Sequence, residues 1–303
     1  MLRTRFYFAM LLFSLFPLVI FSQGYYQQFG SAGTVDWTNQ VIRATGIGAP
    51  NVNLPLPQQR AGALRAAQMD ALRKLLEMVR GINLNAETVV ENAIVTSDVI
   101  RSSVEGAVRG YRIVDTRYMS SGDVEVDVEV PLTGILMDVL LPPPQAFGGG
   151  TWVGAKVPVC PLCGQPWPSG KPVPPGVTLS TEDWTGEEVS GVVSGLIVDA
   201  RGLGVRPAMA PRILDENGNE IYGSKFVSRE YAVDVGMVGY EKDIDRAQKN
   251  ERVASTPLIV KAIRVSGPNQ TDVVISNADA QKIHNAARHM NFLQQCKVMF
   301  VLD

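Results

Sequence analysis

The chain has 303 residues, with 28 Lys and Arg against 30 Asp and Glu and 46% hydrophobic residues. That apolar content is enough for packed cores, and the length suits two domains. The near-balanced charge, with no basic stripe, excludes a nucleic-acid surface, and only two histidines leave little room for histidine-based catalysis.

The N-terminus, "MLRTRFYFAMLLFSLFPLVIFSQG", sets Arg3 and Arg5 ahead of an apolar run from Phe6 to Phe21. This is the pattern of a secretory signal, residues 1–22, with cleavage expected after Ser22. Pro17 interrupts the run, and no cysteine stands at the cut to accept lipid. Loss of Arg3 and Arg5 leaves 26 basic residues against the 30 acidic ones. Export also places the cysteines where disulfides persist.

A first folded block is expected over residues 35–141. "VDWTNQVIRATGIG" is rich in strand formers and ends on Gly46 and Gly48, so it reads as a strand followed by a turn. "PQQRAGALRAAQMDALRKLLEMVRG" sets Leu64, Ala67, Ala71, Leu75 and Val79 at three- and four-residue steps. This spacing predicts an amphipathic helix that starts near Pro57 and stops at Gly81. Asp70 and Lys74 form an i,i+4 pair on it. In "GYRIVDTRYMSSGDVEVDVEVPL", Val124, Val126, Val128 and Val130 alternate with Glu125, Asp127 and Glu129. A period of two predicts a half-buried strand with its valines inward. "YRIVDTRYM" is its hairpin partner, "SSG" the turn with Gly122 left-handed, and the register sets Arg117 opposite Glu125. "LTGILMDVL" reads as a short closing helix.

Asp123, Glu125, Asp127 and Glu129 share one face at steps of about 6.5 Å. Acid/base work needs one carboxyl desolvated so that the two pKa values separate. Nothing in the sequence does that, so the row reads as a solvated sheet face.

From Pro142 to Ser180 proline and glycine dominate, and periodicity is lost, which marks a linker or irregular arm over residues 142–180. Trp152, Trp167 and Trp184 nevertheless fall in or beside it. A free linker has little use for tryptophan, so these three are candidate partner-binding residues, packing on a neighbouring subunit or on the chain's own domains.

The arm also carries "VCPLCGQPWPSG". A thioredoxin-type pair needs a following helix to acidify the thiol, and the prolines after Cys163 forbid one. Structural zinc needs four ligands. Beyond Cys160 and Cys163 the chain offers only Cys296, His284 and His289, and the two histidines would point about 140° apart on a helix. An oxidised Cys160–Cys163 staple is therefore expected, with zinc and redox chemistry as alternatives and Cys296 a buried thiol.

A second block is expected over residues 184–303. "SGLIVDARGL", "STPLIVKAIRVSG" and "CKVMFVLD" read as strands, and "APRILDENGNEIYGS" as a hairpin turning at Asn217-Gly218. "SNADAQKIHNAARHM" predicts a helix with Ser276 as N-cap and Asp279 three residues on. "RGLGVRP" lacks the third glycine and the helix of a dinucleotide loop. "DENGNE" has Glu220 and Phe226 where a calcium loop needs Gly and Glu. No hydrolase or metalloprotease motif occurs.

One resemblance stands above this background. "ATGIGAP", the helix "RAGALRAAQMDALRKLLEMVRGI", "VEGAVRGYRIVDTRY" and "GDVEVDVEVPL" follow in the order found in a family of exported bacterial proteins. That family includes twenty-kilodalton outer-membrane lipoproteins and the flagellar proteins FlgP and FlgT. The resemblance covers about a third of the chain and implies a noncatalytic envelope component, often built into rings or discs around the flagellar rod. Several relatives carry a lipid-acceptor cysteine that this chain lacks.

The resulting expectation is an α+β protein of two small antiparallel-sheet-plus-helix domains joined by a Pro/Gly-rich arm. It would be a noncatalytic periplasmic component without cofactor or metal that assembles with itself and with other envelope or flagellar components. The outer membrane would be a peripheral contact or a route to the surface. A zinc or redox protein centred on Cys160 and Cys163, and a glycan- or peptide-binding envelope module, are the alternatives.

Overall fold

The computed structural model describes residues 24–148, 156–163, 167, 171–183, 192–287 and 290–303. The signal segment 1–22, Trp152, Trp184 and His289 lie outside them. In chain order the first unit contains β1 (Tyr26–Phe29), β2 (Gly33–Asp36), β3 (Val41–Gly48), α1 (Leu56–Arg80), α2 (Val90–Thr96), α3 (Asp98–Arg109), β4 (Arg112–Tyr118), β5 (Val124–Pro131) and α4 (Ile135–Leu140). Its five strands form an antiparallel sheet in the order β1-β2-β3-β5-β4.

The valines of β5 are buried while Glu125, Asp127 and Glu129 alternate outward, as the period of two requires. Gly122 turns the hairpin at φ +93°. Arg117 sits opposite Glu125 and bonds to it at 3.1 Å while also pairing with Asp127 and Asp115. Arginines thus neutralise Glu125, Asp127 and Glu129 of the acidic row. Asp127 is held below its ordinary range by the Arg117 guanidinium, and Glu129 by Arg112. Both shifts keep the row charged, which is the opposite of an acid/base couple.

Two sequence expectations are corrected here. Residues 35–48 form a hairpin and not one strand. The Asp36 carboxylate accepts the Asn39 backbone N–H at 3.0 Å and its side-chain amide at 2.8 Å, and Gln40 adopts φ +54°. This is an Asx-type turn. Gly46 and Gly48 are not turn residues but lie inside β3, beneath α1. A Cβ on Gly46 would stand 2.0 Å from the Ala67 carbonyl oxygen, and one on Gly48 would stand 2.0 Å from that of Ala63. Glycine in the strand and alanine in the helix let the two backbones meet. The buried face of α1 is therefore Ala63, Ala67, Ala71, Leu75, Met78 and Val79, with Leu64 and Leu72 at its flanks.

The expected Asp70–Lys74 pair forms at 2.9 Å and does more than decorate the helix. Asp70 also accepts from Arg73 at 2.8 Å and from the Ile47 N–H at 3.1 Å, and Lys74 donates to the Thr45 carbonyl at 2.7 Å. The pair pins α1 to the β3 backbone that β2 leaves unpaired. Burial raises the Asp70 pKa, but the hydrogen bonds from Lys74, Arg73 and Ile47 outweigh it and hold it at about 2.

The arm contributes a hairpin of β6 (Lys156–Val159) and β7 (Ser180–Asp183). The second unit then runs β8 (Leu196–Asp199), β9 (Ile213–Leu214), β10 (Glu220–Tyr222), α5 (Arg229–Val235), β11 (Gly239–Glu241), α6 (Ile244–Lys249), β12 (Leu258–Ser266), β13 (Asp272–Ile275), α7 (Asn277–Ala287) and β14 (Val298–Val301). The sheet order is β10-β9-β13-β12-β8-β14-β11. The protein is α+β, but this second sheet is mixed and not mostly antiparallel. β9–β13, β12–β8, β8–β14 and β14–β11 are parallel, while β9–β10 and β12–β13 are antiparallel. The sequence of β14, "VMFV", is buried at every position, as parallel strands covered on both faces are. Asn217-Gly218 turns the β9–β10 hairpin with Gly218 at φ +84°, and Ser276 caps α7 by accepting the Asp279 N–H at 3.1 Å.

Gly46→Ala should therefore force α1 off β3 and cost about 1–3 kcal/mol, the scale of overpacking, measured by urea unfolding. An unchanged midpoint would refute the close contact. Asp70→Asn should lower stability by about 1 kcal/mol at pH 7, after discounting for its partial exposure. A depressed carboxyl contributes above its unfolded-state pKa, so the difference from wild type should shrink as pH falls from about 4 toward 2.

Candidate functional site

The turn between β2 and β3 is the first part of the site, because it enters the second unit. Trp37 meets Tyr240 of β11 edge-on, with centroids 5.4 Å apart and planes at 73°. Tyr240 meets Phe300 of β14 likewise, at 5.9 Å and 84°, and Tyr25 stands 6.4 Å away. The Thr38 hydroxyl donates to the Tyr240 carbonyl at 2.9 Å, and the Gln40 amide donates to the Val238 carbonyl at 2.8 Å. Tyr240 itself is buried, yet its hydroxyl donates to the Ala208 carbonyl at 2.7 Å and accepts the Ala208 N–H at 3.0 Å. Burial pushes the phenol well above its ordinary pKa, so it stays neutral.

Two further seams close the junction. Met209 and Ala210 donate backbone N–H groups to the Asn83 and Leu84 carbonyls at 3.0 and 2.8 Å. Arg212 joins Glu87 at 2.9 Å to the buried Asp272 at 2.7 Å. On the other side Gly134 donates to the Val233 carbonyl at 2.7 Å, and Arg229 pairs with Asp138.

Between the turn, α5 and the start of β14 the junction leaves an open cleft of about 520 Å³. Met299 and Gly239 form its buried floor, and Asn39, Gln40, Tyr231, Asn250 and Gln295 reach it from the sides. Arg252 braces the floor. It donates to the carbonyls of Gly236 at 3.0 Å, Cys296 at 2.9 Å and Val235. Burial lowers its pKa. Nothing in the sequence patterns pointed to this cleft. Its residues come from five separate segments, and the one local signal was the turn chemistry of "DWTNQ".

Of the residues singled out in and beside the arm, the described ones, Trp167, Cys160 and Cys163, are not brought together with that cleft. Val159 of β6 is buried, and β6 packs against α7. Trp167 folds back within the arm: its N–H donates to the Pro158 carbonyl at 2.7 Å, and its indole N–H to Lys171 at 3.0 Å. Cys160 and Cys163 lie in the turn after β6. The staple expected between them is not formed, and all three cysteines are free thiols. The Cys160 sulfur instead receives the backbone N–H groups of Leu162 and Cys163 and the Cys163 thiol, which lowers its pKa and suits a thiolate. Cys296 is buried, as expected, and burial raises its pKa to about 11. No group of three metal-binding side chains occurs among the described residues.

The unit that supplies the turn has known relatives. Residues 22–131 match the LPP20 lipoprotein family. The match spans the whole five-stranded sheet and bears out the likeness to exported twenty-kilodalton lipoproteins. Residues 195–303, the mixed sheet with its helices, match the family described as Treponema pallidum Tp0624, second domain. No curated protein matches the chain. The first match points to an envelope lipoprotein type of protein, and no helix among the described residues is long and apolar enough to cross a membrane.

The thiols separate by environment. Limited alkylation near pH 7 should modify Cys160 first and leave Cys296 untouched until denaturant is added. Mass spectrometry of the labelled peptides reads the order, and labelling of Cys296 in the folded protein at the rate of Cys160 would contradict it.

Proposed function

We propose that this protein is a noncatalytic assembly component of the bacterial cell envelope that self-associates through its five-stranded sheet. The LPP20 match of residues 22–131 carries this reading. Support comes from the sheet's two ends. β1 and β4 are the two edge strands, each paired on one side only among the described residues. On β4, Ile113, Val114 and Tyr118 are 42%, 57% and 59% exposed. The ladder shifts register at Val114, which marks a bulge. Bulges and charged neighbours such as Arg112 and Arg117 blunt indiscriminate pairing while leaving the edge available to a fitted partner.

A head-to-tail contact between different edges closes into a ring or runs on as a filament, depending on the rotation it imposes. The finer form of the proposal, a ring or disc at the flagellum, rests on the likeness to FlgP and FlgT alone. Periplasmic residence with peripheral contact at the outer membrane is part of the same reading, as is a partnership with other envelope components.

Sedimentation of the exported protein should show an oligomer at micromolar concentration. Val114→Lys with Tyr118→Lys should return it to monomer without lowering its melting temperature, because both side chains are already in solvent. A monomeric wild type, or an oligomer indifferent to the pair, would count against the edge as the contact.

A further inference from the structure

We infer that the cleft between the two units is a binding site for a neutral carbohydrate. Its volume, about 520 Å³, falls within the range of small-ligand sites, roughly 300–1,000 Å³. Sites at domain junctions are the common case, and this one is walled by both units.

The lining chemistry selects the ligand class. Four carboxamides, on Asn39, Gln40, Asn250 and Gln295, line the cleft together with Thr38 and Thr133. The Thr38 hydroxyl is held between the Tyr25 N–H and the Tyr240 carbonyl, and Asn39, Gln40 and Asn250 each give one amide group to Asp36, to Val238 and to the Arg252 N–H. That leaves the amide oxygens of Asn39 and Gln40, the amide N–H of Asn250 and both groups of Gln295, a mixed set of acceptors and donors that suits sugar hydroxyls, which do both. Tyr231 stands at the rim, 43% exposed, as a flat apolar platform of the kind that packs on a sugar's C–H face. The charged groups balance in number: Arg252 and Lys297 line the cleft along with Asp234 and Glu251. Arg252 already spends donors on three carbonyls, which leaves it a brace and not an anion trap.

A second observation points the same way. The Gln40 Oε1 atom is buried with no hydrogen-bond partner among the described residues. The amide cannot be turned over to relieve this, because its Nε2 is committed to the Val238 carbonyl. Leaving a buried acceptor unmet is unfavourable, and because Gln40 lines the cleft, a small shift of its side chain would offer this oxygen to an incoming hydroxyl. The rigid seams around the cleft keep these groups in place, so little ordering is left for binding to supply.

This inference does not depend on the assembly reading, and its test is separate. The exported full-length protein is titrated by calorimetry with maltotriose, cellotriose and the N-acetylglucosamine trimer, and with a neutral tetrapeptide for comparison. At least one saccharide should bind with a dissociation constant of about 1 mM or tighter. Tyr231→Ala and Gln295→Ala, neither of which removes a packing or capping contact described above, should each weaken that binding about tenfold or more at unchanged melting temperature. Absence of saccharide binding by the folded protein overturns the inference. So does binding that survives both substitutions, and so does binding of the peptide alone.

Discussion

The molecule depends on one contact, the insertion of Trp37 and its turn against Tyr240. An edge-to-face aromatic pair adds only about 0.5–1.5 kcal/mol beyond the area it buries. Its importance is positional, because it sets the β2–β3 turn of one sheet over the edge strand β11 of the other and its neighbour β14. Once Trp37 is seated, Thr38 and Gln40 are carried onto the β11 backbone, and the floor of the cleft is fixed. The Tyr240 hydroxyl would be costly to bury alone, and Ala208 relieves it as both donor and acceptor. Interfaces between domains of one chain are usually small and permissive of motion. Here backbone hydrogen bonds from Met209 and Ala210 to Asn83 and Leu84 run across the junction as they would within a single sheet.

The first sheet is built by a different economy. Most helix-on-sheet packings keep bulky side chains between the layers, whereas α1 rests on β3 through Gly46, Gly48 and a row of alanines. Such a contact gains little from side-chain burial and much from close backbone approach. It needs the Asp70–Lys74 clamp to fix its register. The clamp reaches main-chain groups of Thr45 and Ile47 that lie beyond the last residue paired with β2. A pair that would be worth a few tenths of a kcal/mol on an isolated helix thus becomes a tie between layers.

What could be read from the sequence follows the range of the interaction responsible. The valine alternation of β5, its register with Arg117, the Asn217-Gly218 turn and the Ser276 cap are local patterns, and each was legible. Gly46 and Gly48 were visible but ambiguous, since glycine serves a turn and a close helix approach equally well. The Trp37–Gln40 turn was hidden because Val35, Trp37, Val41 and Ile42 look like one strand when Asp36 is not read as a turn former. The parallel pairing of β8, β12 and β14 was out of reach, because apolar runs such as "LIVD" and "VMFV" fit either direction until the crossovers are known. The cleft could not have been found. Asn39, Tyr231, Asn250 and Gln295 carry no shared spacing, and only the docking of the two units brings them together.

The arrangement of Arg252 shows why that docking matters for chemistry as well as shape. Its guanidinium collects the carbonyls of Val235 and Gly236, at the end of α5, and that of Cys296, just before β14. These are the free ends of two elements that bound the cleft, and a cation at a helix C-terminus is favourably placed against the peptide dipoles. Burial works against the charge and lowers the pKa, but the three carbonyls replace the lost water. Removing the guanidinium would take the side-chain donor from the carbonyls of the buried Gly236 and Cys296 and would loosen Tyr231 on α5 relative to Gln295 before β14. The brace therefore couples fold to site: the residue that satisfies the main chain beneath the cleft also sets the distance between its walls.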